Sequence, residues 1–509
     1  MYYRPHAQAP ASPVTALPVE LLAYIFVLGT HDPSVLDGEH DDGCQAFNSD
    51  SVKTPLVYGR VCRHWRNVAL NTPALYTSLC ITPELLREVG AADVLDTAPI
   101  SSYLALSRNY LVDILIDARD QEWDFNDDGT YVPWFTPEHM GAAMAVLLPH
   151  LGRWRSLSIL TDLYAPMHAA LCPLEAHLTA YGAPHLASLR LMRCDAYAAH
   201  APLSPVPNPA DVFLASVPPD ASLLPNLRHL ALLGVPAAWG PLAALLPPTL
   251  HTLELAYHPA PAQPTVPALA ALLSAAPHLA RLTLNGSGPA LPAAADPPAP
   301  RPVPLAHLSA LTLGYVSTPA GLALLSLVHA PRLRALTLED AGDPAAPLPV
   351  NATPLLTLLY PSGGAHKLAA PLFPALAHLT LRRAHLAPTP AAAPILAVPQ
   401  LTLVDMAPAA VAQTLYGPGV VEVHAEGSAP SQSDHAPEPE EFRVGATRVR
   451  VFHSPAPYDD DDDNEGDASD DSDPETLLGF PMDWEEAEAA AFKVGGAFND
   501  PVFDARWGV

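Results

Sequence analysis

The sequence predicts an α/β protein. A helical N-terminal module leads into an irregular solenoid built on a parallel sheet, with a disordered acidic segment beyond it. Three observations predict it. The phrase leucine, two residues, leucine, one residue, leucine recurs between about residue 100 and residue 405. Proline stands two residues before the first leucine of most copies. Residues 459–475 hold 11 acidic side chains and no basic one.

Composition bounds the function. The 509 residues correspond to about three domain-sized units, or fewer if one is an extended array. Hydrophobic residues make up 49%, enough for a sizeable core, while 61 prolines keep helices short. A formal net charge of −28 argues against nucleic acid or an anionic membrane as partner, since both require a basic surface. Cys44, Cys62, Cys80, Cys172 and Cys194 show no paired spacing, so a reducing compartment, cytoplasmic and/or nuclear, is expected. Met1–Pro13 lacks the apolar stretch of a signal peptide. No window of ~18 uncharged apolar residues suggests a membrane span.

Residues 14–81 form the first unit. Pro18 suits a helix start, where a missing N–H costs nothing. Leu21, Leu22, Ile25, Phe26 and Leu28 then mark an apolar face, and Gly29 is the expected stop. A turn-rich acidic stretch from His31 to about Asp50 reads as a loop. A second helix is expected from about Pro55 to Leu70, with Val57, Val61, Cys62, Trp65 and Val68 at helical spacing. Two short amphipathic helices make a poor core alone, so a partner is expected to complete it.

The array follows, over residues 100–427. Copies of the phrase begin at Leu186, Leu227, Leu250, Leu279, Leu308, Leu333 and Leu376. Looser ones lie at Leu111/Ile114/Ile116 and Trp154/Leu157/Ile159, and a truncated one at Leu401/Leu403. Several spacings fall in the ~20–29-residue range of leucine-rich repeats. The joints carry Pro184, Pro225, Pro248, Pro277, Pro331, Pro374 and Pro399, expected to end a helix and extend the chain before the strand. Pro267–Ala276 and Thr318–Ala330 read as such helices, and Pro289–Pro304 and Pro388–Pro394 as loops. Residues 428–475 read as an acidic linker, mostly disordered apart from one edge strand at 442–452. The tail, 476–509, includes a short helix at Met482–Phe492.

The N-terminal unit resembles the F-box. The resemblance rests on Leu17-Pro18-Val19-Glu20-Leu21-Leu22 with Ile25-Phe26, then Val61-Cys62-Arg63-His64-Trp65-Arg66, then Pro73-Ala74-Leu75-Tyr76. It covers residues 14–81 and implies a three-helix module that docks onto the adaptor of an SCF-type ligase and, through it, a cullin. Leu17, Pro18, Leu21, Leu22, Ile25, Phe26, Val61, Cys62 and Trp65 are the adaptor-binding residues it implies. The segment between the helices is longer than usual, and Tyr76 replaces the more usual tryptophan. An F-box followed by leucine-rich repeats resembles a class of ligase receptor. The repeats here lack an asparagine ladder, and only Cys194 falls at its position, so they are leucine-rich-repeat-like.

In such strands the leucines point inward and the residues between them outward. Arg190, Glu254, Thr283, Thr312, Thr337 and Thr380 are expected on the outward face, joined by His229, Thr252, Arg281 and His378. That face is the candidate site for an unknown target protein. GxSxG, Walker, HExxH and GxGxxG motifs are absent. The reading is therefore a non-catalytic receptor subunit with no cofactor and no metal. A repeat scaffold outside any ligase and an enzyme with an unrecognised site stay open.

Overall fold

The computed structural model describes residues 17–31, 50–89, 92–120, 134–193, 212–215, 218, 223–291, 301–342, 350–359, 372–386, 398–406, 440–444 and 447–452. Among these it is a mixed α/β protein with ten α-helices and one large open sheet of 13 strands.

Helix α1 (Val19–Thr30) starts directly after Pro18 and buries Leu22, Phe26 and Thr30. The expected apolar face is in fact two faces. Leu22 and Phe26 point into the core, whereas Leu21, Tyr24, Ile25 and Leu28 lie exposed. Gly29 does not end the helix, which runs one residue further. Its role is close approach: a Cβ there would sit 2.5 Å from the Tyr58 hydroxyl. Tyr58 stacks on Phe26 at 4.2 Å between centroids, and Trp65 tilts against the same ring at 4.9 Å.

The expected second helix is two helices. α2 (Asp50–Val61) carries Pro55 in its interior, and α3 (Arg63–Leu70) follows a one-residue break. Cys62 is extended at φ −162°, and its Sγ accepts the Trp65 N–H, capping α3. At this break the Cys62 thiol takes that donor. Nor do these helices await a partner for their core. Leu22, Phe26, Val68 and Ala69 belong to the same continuous buried cluster as the leucines of the sheet.

The sheet starts earlier than the phrase suggests. β1 (Ser78–Ile81) is its first strand and precedes a small antiparallel pair, β2 (Leu86–Val89) and β3 (Ala92–Leu95). After α4 (Ala98–Leu106), β4 (Val112–Ala118) lies parallel to β1. Next come α5 (Pro137–Leu147), β5 (Trp154–Thr161), α6 (Tyr164–Tyr181), β6 (Ser188–Arg193), β7 (His229–Leu233), α7 (Trp239–Leu245) and β8 (Thr252–Ala256). α8 (Val266–Ala275), β9 (Arg281–Asn285), β10 (Val303–Pro304), β11 (Ala310–Tyr315), α9 (Thr318–Leu327), β12 (Val328–His329) and β13 (Ala335–Asp340) continue it. α10 (Thr353–Leu359), β14 (His378–Arg382), β15 (Gln400–Val404), β16 (Glu440–Val444) and β17 (Thr447–Phe452) complete the described elements.

Strand order is β1-β4-β5-β6-β7-β8-β9-β11-β13-β14-β15-β17-β16, parallel throughout except for the last pair. The single strand expected at 442–452 is thus two antiparallel strands. The loop expected at 289–304 ends in β10, which pairs with β12 just after α9. Successive leucines align across the sheet: Leu253, Leu282, Leu311, Leu336, Leu379 and Leu401 are register partners, and each is fully or almost fully buried. Each such side chain contributes roughly 1.5–3 kcal/mol on burial.

The prolines act differently from expectation. Leu186 N–H donates to Ala183 O, Leu279 to Ala276 O and Leu333 to Ala330 O. Proline therefore occupies the second position of a tight turn, where its fixed φ is preorganised, and the turn delivers the first leucine to the core. Helices start by another repeated device. Thr265 accepts the Ala268 N–H and Ser317 the Ala320 N–H, each with proline in the first turn. The disorder expected at 459–475, the helix expected at Met482–Phe492 and the loop expected at Pro388–Pro394 lie outside the described residues, as does Cys194.

Candidate interaction surfaces

Two surfaces emerge. The first is on α1. Leu21, Tyr24, Ile25 and Leu28 recur at i, i+3, i+4 and i+7, one stripe of a helix, and are 49–61% exposed. On α2, Val57 and Val61 are exposed at i, i+4 spacing. Of the residues the family resemblance implies, Pro18, Leu21, Ile25, Val61 and Cys62 are at the surface and Leu17 is half-buried. Leu22 and Phe26 are core, and Trp65 is half-buried against Phe26. Tyr24 was missed, although its position between Leu21 and Leu28 on a 3.6-residue period is a readable signal.

The second surface is the outward face of the sheet. Arg190, Ala231, Glu254, Thr283, Thr312, Thr337 and Thr380 are successive register partners in one transverse row, extended by Thr402 and Arg450. His229, Thr252, Arg281 and His378 fall in the adjoining row. All the residues expected on this face are therefore together on it. His229 Nδ1 lies 3.2 Å from Thr252 Oγ1. Its imidazole is held below its ordinary value by burial, then by the charges of His251, Arg228 and Arg281.

A third row, at the C-terminal ends of the strands, escaped sequence reasoning. Met192, Leu233, Ala256 and Tyr257 form a small apolar cluster with Ala231 on this face. Beside it Arg383 donates to the buried Glu339 carboxylate at 2.8 Å, and Asn285 Nδ2 lies 3.5 Å from the other oxygen. Gly314 separates Asn285 from Glu339 in the register and leaves the space that this contact crosses. Backbone geometry sets the row. Gly234, Tyr257, Gly286 and Arg383 follow their strands at φ between 51° and 67°, each donating its N–H to the neighbouring strand. Left-handed tyrosine and arginine cost roughly 1 kcal/mol each, which the bonds they make offset.

Two nucleophile–base pairs stand out among the described residues: on α6 the exposed Cys172 Sγ lies 3.4 Å from His168 Nε2, and the other pair is buried. His258 Nδ1 is 2.8 Å from Ser287 Oγ, and Nε2 is 2.9 Å from Val235 O. Both residues are sealed, with His258 at 0% and Ser287 at 1% exposure, so the pair ties loops together and has no substrate access. Trp239 meets the imidazole edge-on at 5.2 Å, and Gln263 bridges the His258 and Gly286 carbonyls. Among the described residues no group of three His, Cys, Asp or Glu side chains converges as a metal site, and no helix is long and apolar enough to cross a membrane. The chain matches no protein-family model, and no curated protein shows significant similarity to it.

Proposed function

We propose that this chain is the target-recognition subunit of a cullin-based ubiquitin ligase. It docks the adaptor through an F-box formed by α1–α3 and holds a target on the outward face of a leucine-rich-repeat-like sheet. The observation that carries the reading is the α1 stripe. Four large side chains sit in water on one side of a helix whose other side already completes its core. Contiguous exposed apolar surface of this kind marks a protein interface. The resemblance of the motif order Leu-Pro, Ile-Phe, Val-Cys-x-x-Trp and Pro-x-Leu-aromatic to the F-box supports a ligase adaptor as the partner. Chemistry then belongs to other subunits, and this chain raises the local concentration of target lysines near the charged ubiquitin carrier.

The test is capture of purified ligase adaptor by the full chain. Leu21→Asp with Ile25→Asp places two charges in the stripe and leaves the core untouched, so capture is expected to weaken at least ~30-fold with the melting transition unchanged. Tyr181→Asp, at an exposed site on α6, is expected to capture normally. Leu22→Asp is unsuitable because it buries a charge in the chain's own core. Undiminished capture by the double variant, or none by the parent, would sink the reading and leave a repeat scaffold outside any ligase.

A further inference from the structure

The net charge of −28 misrepresents one region of the surface. At the N-terminal ends of the strands, Arg228, His229, His251 and Arg281 lie together on β7, β8 and β9 or at their entrances, and Arg334 and His378 follow farther along. From β7 to β17, the two residue rows that form this rim contain no Asp or Glu. Arg228 and Arg334 are exposed, so the rim presents guanidinium charge to solvent and forms a cationic strip. Arg228 and Arg281 enter β7 and β9, two strand spacings or about 10 Å apart, so their charges bear on one another. An anionic segment laid along the strip relieves that repulsion.

The same chain carries such a segment. Residues 459–475 supply 11 carboxylates without one basic residue. We propose that this acidic run occupies the cationic rim of its own sheet. Reach permits it. β17 ends at Phe452, and the run starts at Asp459. Phe452 lies at the end of β17 opposite the rim, so the chain must return about 17 Å along the strand and then cross seven strand spacings, about 34 Å at ~4.8 Å each, to reach β7. The six residues of spacer and 17 of run span up to roughly 75 Å when extended. Tethering sets the effective concentration of the run near ~1 mM, so even weak pairing keeps the rim largely occupied. Ser469 and Ser472 lie inside the run, and phosphate on either adds about −1.5 to −2 charge and tightens the contact. The contact does not rest on the receptor reading above.

The experiment uses the full chain, a variant with Asp459 to Asp463 each changed to Asn, and a fluorescein-labelled synthetic peptide spanning 457–475. At about 50 mM salt the peptide is expected to bind the neutralised variant at least ~10-fold tighter than the parent, whose own run competes, and the difference to vanish near ~0.5 M salt. Adding Arg228→Gln and Arg334→Gln to the neutralised variant is expected to abolish peptide binding while circular dichroism stays unchanged. Equal affinity for parent and neutralised variant, or binding indifferent to the two arginines, overturns the proposal. Concentration-dependent self-association of the parent alone overturns it too, by placing the run on a second copy. Adaptor capture by the same variants is expected to be unchanged, so failure here is distinguishable from failure of the ligase reading.

Discussion

Gly314→Ala is expected to lower stability by about 2–3 kcal/mol, the upper part of the range for overpacking. Position 314 faces outward in the row of Asn285 and Glu339, and a Cβ there would lie 2.0 Å from Asn285 Oδ1 and 2.9 Å from Asn285 Cα. The side chain can rotate away, but the Cα is fixed by pairing between β9 and β11. Rotation also removes the Asn285 contact from the buried Glu339 carboxylate, leaving Arg383 as its side-chain hydrogen-bond donor among the described residues. Gly240→Ala, where nothing lies within 4 Å of the added methyl, is the control and is expected to be neutral or stabilising by about 0.5 kcal/mol. Denaturant unfolding of both variants decides it. A loss at position 314 no larger than at 240 would mean that the outward row yields freely.

The chain is also expected to lose stability on mild acidification because of His258. Burial is the main cause that pushes its imidazole down to about 4, opposed by the bond to the Val235 carbonyl and reinforced by the charge of Arg193. An unfolded histidine titrates near ~6.5, so between these values the unfolded state takes up a proton that the folded state refuses. Stability is therefore complete above about pH 6.5 and falls as pH drops towards about 4, by roughly 3 kcal/mol over the window. His150, likewise pushed down to about 4 by burial and by Arg153, adds a smaller contribution from a more accessible site. His258→Gln is expected to be less stable at neutral pH yet to show a flatter dependence between pH 6.5 and 4. Parallel pH profiles for the two proteins would remove His258 as the cause.

What the sequence made legible was whatever depends on strict alternation. The leucine phrase fixes which residues face inward, and aligning the phrases aligns the strands, so the outward threonines were placed in register from spacing alone. Alternation says nothing about helices with apolar residues on several sides. Leu21 and Leu22 are adjacent and both apolar, and only the packing of α1 onto the core, where Phe26 meets Tyr58 and Trp65, decides which is buried. Long-range polar pairs were equally hidden. Glu339 and Arg383 are 44 residues apart and meet only because β13 and β14 are neighbours. The break at Cys62 is hidden because helical periodicity runs straight through it, from Val57 and Val61 to Trp65.

The threonine row has a consequence for how a partner is read. Thr283, Thr312, Thr337, Thr380 and Thr402 repeat one side chain at strand spacing, about 4.8 Å per step. A ligand that touches only these residues meets the same chemistry after sliding by one strand, so the row provides grip without an address. Position along it is defined where the repetition fails, at Glu254 and Ala231 on one side and Arg450 on the other. The surface works like a ruler whose graduations are identical and whose end marks alone are numbered.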